Sequence, residues 1–266
     1  MRLEGKIAIV IGAGQGPGEG LGNGRATVLR FAAEGASVLA VDRDMASAEE
    51  TAAMAAKAGG ACVPFQADVT KEATLAAAIA AARGRWGRID ILHNNVGVSI
   101  AGGDAPPLEI TEEAFDRICA INLRGTVMAC KHVLPIMREQ RSGTIINISS
   151  VAAWENYPYV AYKATKAAMI AYTQQIAIQN AEFGVRANVI LPGLIDTPMA
   201  VDTRARASGK SRAEVAAQRD ARVPLRHRMG TAWDVANAAL FLASDEASFI
   251  TGVALPVDGG ALVRIG

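Results

Sequence analysis

Hydrophobic residues along the chain gather in short, β-branched runs separated by alanine-rich stretches in which apolar positions recur with helical period. Runs at 7–11, 37–41, 62–66, 89–93, 143–148, 186–191 and 252–256 are four to eight residues long, apolar almost throughout, and read as strands buried on both faces. Between them the 3.6-residue period predicts helices over 24–33, 46–58, 71–86, 111–138, 158–182 and 232–242. Strands alternating with helices predict an α/β fold in which one seven-stranded parallel sheet carries helices on both faces. The segment 199–225 breaks the alternation. It is long, polar and poor in strand signal, so it is expected to be a substrate lid, or else a surface loop with a helix near 212–222.

Composition narrows the class. At 266 residues and 51% hydrophobic content the chain can bury one large core, and no linker or low-complexity tract divides it, so a single domain over 1–266 is expected. A net charge of +1 with both signs interleaved gives no nucleic-acid footprint. Cys62, Cys119 and Cys130 have no metal-ligand spacing, and His93, His132 and His227 are dispersed, so no metal site is expected and the thiols are read as reduced. The charged start of the chain does not read as a signal peptide, and no run approaches the ~20 apolar residues of a membrane span. A soluble cytoplasmic protein acting on a small molecule is the expectation.

The first strand leads into thirteen residues, Gly12 to Gly24, of which seven are glycine. A glycine-rich turn opening a helix presents free backbone N–H groups and the positive end of the helix dipole, a cradle for a pyrophosphate. Starting the helix after Gly18 leaves Gly20, Gly22 and Gly24 inside it, at about 1 kcal/mol each. A start at Gly22-Asn23-Gly24 avoids this and makes the intervening segment an insertion. Asp42 ends the second strand, where a carboxylate accepts from both ribose hydroxyls and repels a 2′-phosphate; this favours NAD over NADP, although neighbouring Arg43 is suited to that phosphate. Asp68 ends the third strand, where it either accepts from the adenine amino group or caps the next helix.

Tyr162 and Lys166 share a helix face at i and i+4, so the ammonium can lie under the phenol and favour the phenolate. The serine pair Ser149-Ser150 lies a short loop upstream. The glycine loop, Asp68-Val69, Asn94-Asn95-Val96-Gly97, Asn122, Ile148-Ser149-Ser150, Tyr162 with Lys166, Asn188 to Pro192-Gly193, and Val257-Asp258-Gly259-Gly260 occur in one order. In that ordered set the whole chain resembles the short-chain dehydrogenase/reductase family. Two departures stand out: the first-to-second glycine spacing is longer, from Gly12 to Gly22, and Val96 stands where that family usually has alanine.

The resemblance implies a Rossmann-type doubly wound fold, a nicotinamide cofactor and a tetrad. In it Tyr162 is the acid/base, and Lys166 lowers its pKa and holds the nicotinamide ribose. Ser150 orients the substrate oxygen, and Asn122 holds a water that relays protons from Lys166. Ser149 rivals Ser150: the Ser-Val-Ala sequence favours Ser150, the family's spacing to tyrosine favours Ser149, and Ser150 is chosen. Gly12, Gly22, Asn23, Gly24, Val69, Asn95, Gly97 and Pro192 fall on the cofactor side, while Ile195 meets the carboxamide and Thr197 reaches the cofactor. The family's habit implies a homo-oligomer, dimer or tetramer, through the helices over 111–138 and 158–182. The expected activity is NAD-dependent oxidation of a secondary alcohol, or reduction of its ketone, on a fairly apolar substrate of cyclic or aromatic size facing Trp154, Tyr157 and Tyr159. The alternatives are an NADPH-dependent 3-oxoacyl thioester reductase and, more remotely, a non-catalytic nucleotide-binding scaffold.

Overall fold

A computed structural model describes residues 1–264. The apolar runs pair into one seven-stranded parallel sheet built from β1 (Ile7–Ile11), β2 (Ser37–Asp42), β3 (Ala61–Gln66), β4 (Ile91–Asn94), β5 (Gly143–Ile148), β6 (Val185–Pro192) and β9 (Ala254–Val257). Their order is β3-β2-β1-β4-β5-β6-β9, and every pairing is parallel. Two residues each of β7 (Ile195–Asp196) and β8 (Gly230–Thr231) form a separate small ladder beyond the sheet.

Side-chain alternation sends successive strand residues to opposite layers. Ala8 and Val10 of β1 join a core with Val28 and Phe31 of α1 (Asn23–Ala33) and with α9 (Ala232–Ala243). Ile9 and Ile11 join another with Leu75 and Ile79 of α3 (Glu72–Trp86) and with α5 (Gly125–Gln140). Helix α2 (Met45–Lys57) packs beside α1. The strand order reverses between β1 and β4, so the loops leaving their carboxyl ends diverge and open a crevice there.

The predicted strands are present, with β4 beginning two residues later than expected and β9 two residues later. The helix expected over 111–138 is a single rod with an irregularity: α4 (Glu112–Cys119) passes through a π-helical turn, Ala120–Arg124, into α5. Asn122 sits in that wider turn. Helix α6 (Val160–Asn180) carries Tyr162 and Lys166. The connection at 199–225 is largely helical, containing a π turn at Pro198–Asp202, then α7 (Thr203–Ser208) and α8 (Arg212–Asp220). Helix α8 begins with a full capping box: the Ser211 hydroxyl accepts from Glu214 N while Glu214 accepts from Ser211 N. No helix among the described residues is long and apolar enough to cross a membrane.

The cysteines are free thiols; Cys62 and Cys130 are pushed up to about 12 by burial, which suits inert core groups. His93 on β4 is fully buried, meets Phe31 edge-on with centroids 6.2 Å apart, and neither ring nitrogen has a hydrogen-bond partner. Burial pulls its pKa down from 6.5 to about 3. Between those values the unfolded chain binds a proton that the native state refuses, so stability falls as pH falls through that window. The loss from this group is about 1.4 kcal/mol per pH unit. His93→Phe should therefore flatten the acid limb of a urea-denaturation series while preserving the ring contact with Phe31; an unchanged slope between pH about 6 and 4 would remove His93 from the account.

Candidate active site

The crevice at the switch point is a continuous cleft of about 690 Å³. At one end the glycine turn brings backbone close to backbone. A Cβ on Gly24 would lie 1.8 Å from the Gly12 carbonyl oxygen, and one on Gly12, whose φ is +84°, would meet Val96 Cγ2 at 2.8 Å. Asn95 fixes this approach by donating Nδ2–H to the Gly12 carbonyl at 3.1 Å. Gly22 is the N-cap of α1 without any side-chain cap, so the first-turn N–H groups at Asn23 and Gly24 face the cleft. The late helix start thus matches the register chosen from glycine cost. The inserted segment turns outside the helix, held by Gln15, whose Oε1 accepts from Gly22 N at 2.9 Å and whose Nε2 donates to the Gly20 carbonyl.

Asp42 lines the cleft beside the glycine turn. One oxygen accepts from Gly14 N at 2.9 Å and the other from Asp44 N at 3.1 Å. A carboxylate has about four acceptor positions, so two lone pairs remain for a ribose diol. Arg43 and Val69 line the same end. Asp68 lines it too but does not cap a helix: α3 is capped at Lys71, and Asp68 Oδ1 instead accepts from Thr70 N and Oγ1, closing a short turn. These backbone cradles and unfilled acceptors fit a dinucleotide.

At the other end stand Ser150, Tyr162 and Lys166. The two serines part company. Ser149 Oγ donates to the Lys166 carbonyl at 2.6 Å and pins α6, whereas Ser150 Oγ accepts from Ala152 N at 3.2 Å and lines the cleft with Tyr162. Lys166 is 2% exposed; its Nζ donates to the Ile148 carbonyl at 2.7 Å and lies 5.6 Å from the Tyr162 ring centroid. A Cβ on Gly97 would come within 3.0 Å of that Nζ, so glycine keeps the ammonium's cleft side open.

One expectation is corrected. The phenol is not lowered: burial, followed by neighbouring Tyr157, pushes Tyr162 up to about 12, against a smaller pull from Ser150 and Arg204. Lys166 is itself pulled down to about 8 by burial. Asn122 does not line the cleft: it is fully buried, its Oδ1 accepting from Val98 N at 2.7 Å and its Nδ2 donating to the Val98 carbonyl at 2.9 Å. That amide ties the π turn to the Val98 backbone behind the cleft.

A family model described as enoyl-(acyl carrier protein) reductase matches residues 19–261. A putative short-chain dehydrogenase/reductase from Burkholderia xenovorans, known from its crystal structure, superposes with a TM-score of 0.91 at 44% identity, covering 100% of this chain and 99% of that one. The chain belongs to the short-chain dehydrogenase/reductase family. Among curated relatives, 2-(R)-hydroxypropyl-CoM dehydrogenase of Xanthobacter autotrophicus is 38% identical over 96% of this chain and 97% of its own. A 3-oxoacyl-[acyl-carrier-protein] reductase of Thermotoga maritima is 35% identical over 99% and 100%. As a member of this family the chain is an oxidoreductase that works with a nicotinamide cofactor.

In this short-chain dehydrogenase/reductase, Pro192, Ile195 and Thr197 line the cleft beyond β6, with Thr197 Oγ1 accepting from Ala200 N to start the π turn. Asp196 pairs with Arg212. Asp104 and the contact between the glycine segment and the 199–225 connection escape a reading of the sequence. Asp104, 7% exposed, accepts from Ala161 N at 3.0 Å and Tyr162 N at 2.9 Å, anchoring the start of α6 across 57 and 58 residues. Tyr157 rests against Tyr162 with centroids 5.6 Å apart, and its hydroxyl meets Ser99. The inserted glycine segment touches the 199–225 connection: Glu19 N donates to Asp202, and Arg206 donates to the Pro17 carbonyl.

Proposed function

We propose that the chain is an NAD-dependent dehydrogenase interconverting a secondary alcohol and its ketone. The reading is carried by the meeting of Ser150, Tyr162 and Lys166 with the glycine cradle in one cleft. When bound, the nicotinamide supplies or accepts the hydride. The remaining chemistry belongs to the chain. In oxidation Tyr162 takes the hydroxyl proton at its phenolic oxygen as the carbinol hydrogen leaves as hydride; in reduction it returns that proton to the carbonyl oxygen. Ser150 donates a hydrogen bond to the same oxygen, where negative charge develops. Lys166 holds the nicotinamide ribose, Asp42 the adenosine ribose, and Gly12, Gly22, Asn23 and Gly24 the pyrophosphate. Asn95 and Asn122 position these groups through backbone. Pro192, Ile195 and Thr197 orient the carboxamide end, and the segment 199–225 covers the substrate. The same reading carries a homo-oligomer through α5 and α6, on whose outer face Ile178 is 73% exposed.

The hydroxypropyl relative favours alcohol chemistry, and the Thermotoga relative favours a 3-oxoacyl thioester reductase using NADPH. Cofactor choice separates them. Asp42 would face a 2′-phosphate with a like charge, and a difference of about 1.4 kcal/mol is already tenfold. Initial rates with secondary alcohols should be at least about tenfold higher with NAD than with NADP, and Asp42→Ala should narrow that ratio. Equal or reversed preference, with turnover of a 3-oxoacyl thioester, would install the reductase instead.

A further inference from the structure

The sequence predicts an apolar substrate, but the connection at 199–225 turns guanidinium groups into the cleft. Arg204 of α7 and Arg219 of α8 line the same space as Ser150 and Tyr162. Arg219 is 8% exposed, and its hydrogen bond to a side chain runs from Nε to the Met229 sulfur at 3.3 Å, a weak acceptor. Arg204 donates to the Ala200 carbonyl at 3.0 Å and reaches the Tyr157 hydroxyl at 3.5 Å. Neither forms an ion pair with a carboxylate among the described residues. The acids nearby are committed elsewhere: Asp196 and Asp202 face Arg212, and Asp104 caps α6. Glu155, on the opposite rim, pairs with neither arginine. Burial, then Arg204 and Arg222, pull the Arg219 pKa down to about 10, so the two guanidiniums repel one another as they stand. A buried cation without a counter-charge carries an uncompensated desolvation penalty, which an incoming anion offsets.

Resting on the dehydrogenase reading, we propose that Arg204 and Arg219 form the seat for an anionic group on the substrate, a carboxylate or sulfonate borne on a chain that ends at the secondary alcohol or ketone. Planar guanidinium forks suit the paired oxygens of such groups. The position of Arg204 beside Tyr157, itself packed on Tyr162, puts the seat at the substrate end. Arg206, which bonds the glycine segment, lies on the pyrophosphate side instead.

The test compares secondary alcohols of graded chain length bearing a terminal carboxylate or sulfonate with the matched neutral carboxamides, measured as kcat/KM with NAD. Hydrogen bonds to charged groups predict a preference for the anionic member of roughly 10- to 100-fold. Arg204→Ala and Arg219→Lys should collapse that preference chiefly through KM, whereas Arg228→Ala, an exposed arginine outside the cleft, should preserve it. The relative response of carboxylate and sulfonate identifies which anion the seat takes. Calorimetric binding of the anionic ketones to the protein saturated with NADH reads the seat without turnover. Arginine-dependent binding with no turnover of any alcohol would overturn the dehydrogenase reading and keep the seat. Equal handling of anion and amide, or a loss of NADH affinity in Arg204→Ala matching the loss for substrate, would overturn the seat. Circular dichroism of each variant separates these results from misfolding, and Arg204, which is only half-buried, carries the test if Arg219→Lys unfolds.

Discussion

Tyr162→Phe is expected to lower turnover by about a thousandfold or more while leaving NADH affinity within a factor of about two, because positioned proton transfer contributes roughly 10²- to 10⁴-fold. Phenylalanine keeps the ring packed against Tyr157, with centroids 5.6 Å apart and planes inclined by 40°, and removes only the phenolic oxygen. The two reaction directions should differ in pH dependence. A phenol pushed up to about 12 is protonated at neutral pH, ready to donate in ketone reduction, so the reductive rate should be flat there. Oxidation needs the phenolate, whose fraction rises tenfold per pH unit below the pKa, so the oxidative rate should climb through the neutral and alkaline range. A bound oxidised nicotinamide adds positive charge beside the phenol and shifts that climb toward lower pH. Tyr162→Phe should erase the climb along with the rate. Steady-state rates in both directions, with a fluorescence titration of NADH, measure both effects; wild-type-like turnover in the variant would refute Tyr162 as the acid/base.

The parts of this site that could be read from the chain are those in which local chemistry and local structure coincide. The register of the glycine turn followed from the cost of glycine inside a helix, and the structure caps α1 at Gly22. Tyr162 and Lys166 were visible because four residues make one helical turn, and Asp42 because a strand end is a fixed place in an alternating fold. Ser150 could be separated from Ser149 only weakly in sequence. In space their hydroxyls have different tasks, one in the cleft with the phenol and one on the Lys166 carbonyl.

What the chain concealed acts over long separations. Asp104 precedes two prolines and has no helix beside it, yet it anchors α6 by bonds that close only when the sheet has formed. Arg204 and Arg219 lie in a polar segment where charge ordinarily means solvent; their burial depends on α7 and α8 folding over the cleft. Asn122 could be named only through the family resemblance; in the structure it sits in a π turn, and widening one turn lets its amide reach both polar groups of Val98. The pKa argument failed for a related reason. Proximity of an ammonium was legible, but the burial that raises the phenol and lowers the ammonium belongs to the folded cleft.

Lys166→Met should abolish turnover and yet make the cofactor-free protein more stable. Lys166 is among the largest fully buried side chains, and its ammonium donates to the Ile148 carbonyl. Burial pulls its pKa from 10.5 down to about 8, which corresponds to about 3 kcal/mol held against the folded state while the group is charged. Because the folded pKa is the lower one, that penalty is complete below pH about 8 and disappears as pH rises toward 10.5. Methionine fills similar volume without the charge; after subtracting about 1 kcal/mol for the orphaned Ile148 carbonyl, a net gain of about 2 kcal/mol is expected at neutral pH. For a chain of this size that is a rise in Tm of about 4–8 °C. The gain should shrink on approaching pH about 10, and NADH should bind more weakly through loss of the ribose contact. A gain in stability accompanied by lost catalysis is what a cation maintained for chemistry produces, whereas a lysine kept for packing would give a variant that melts lower at every pH. Thermal melts of the two proteins across pH, read beside their turnover, decide between these roles, and a lower Tm for the variant at neutral pH would refute the functional one.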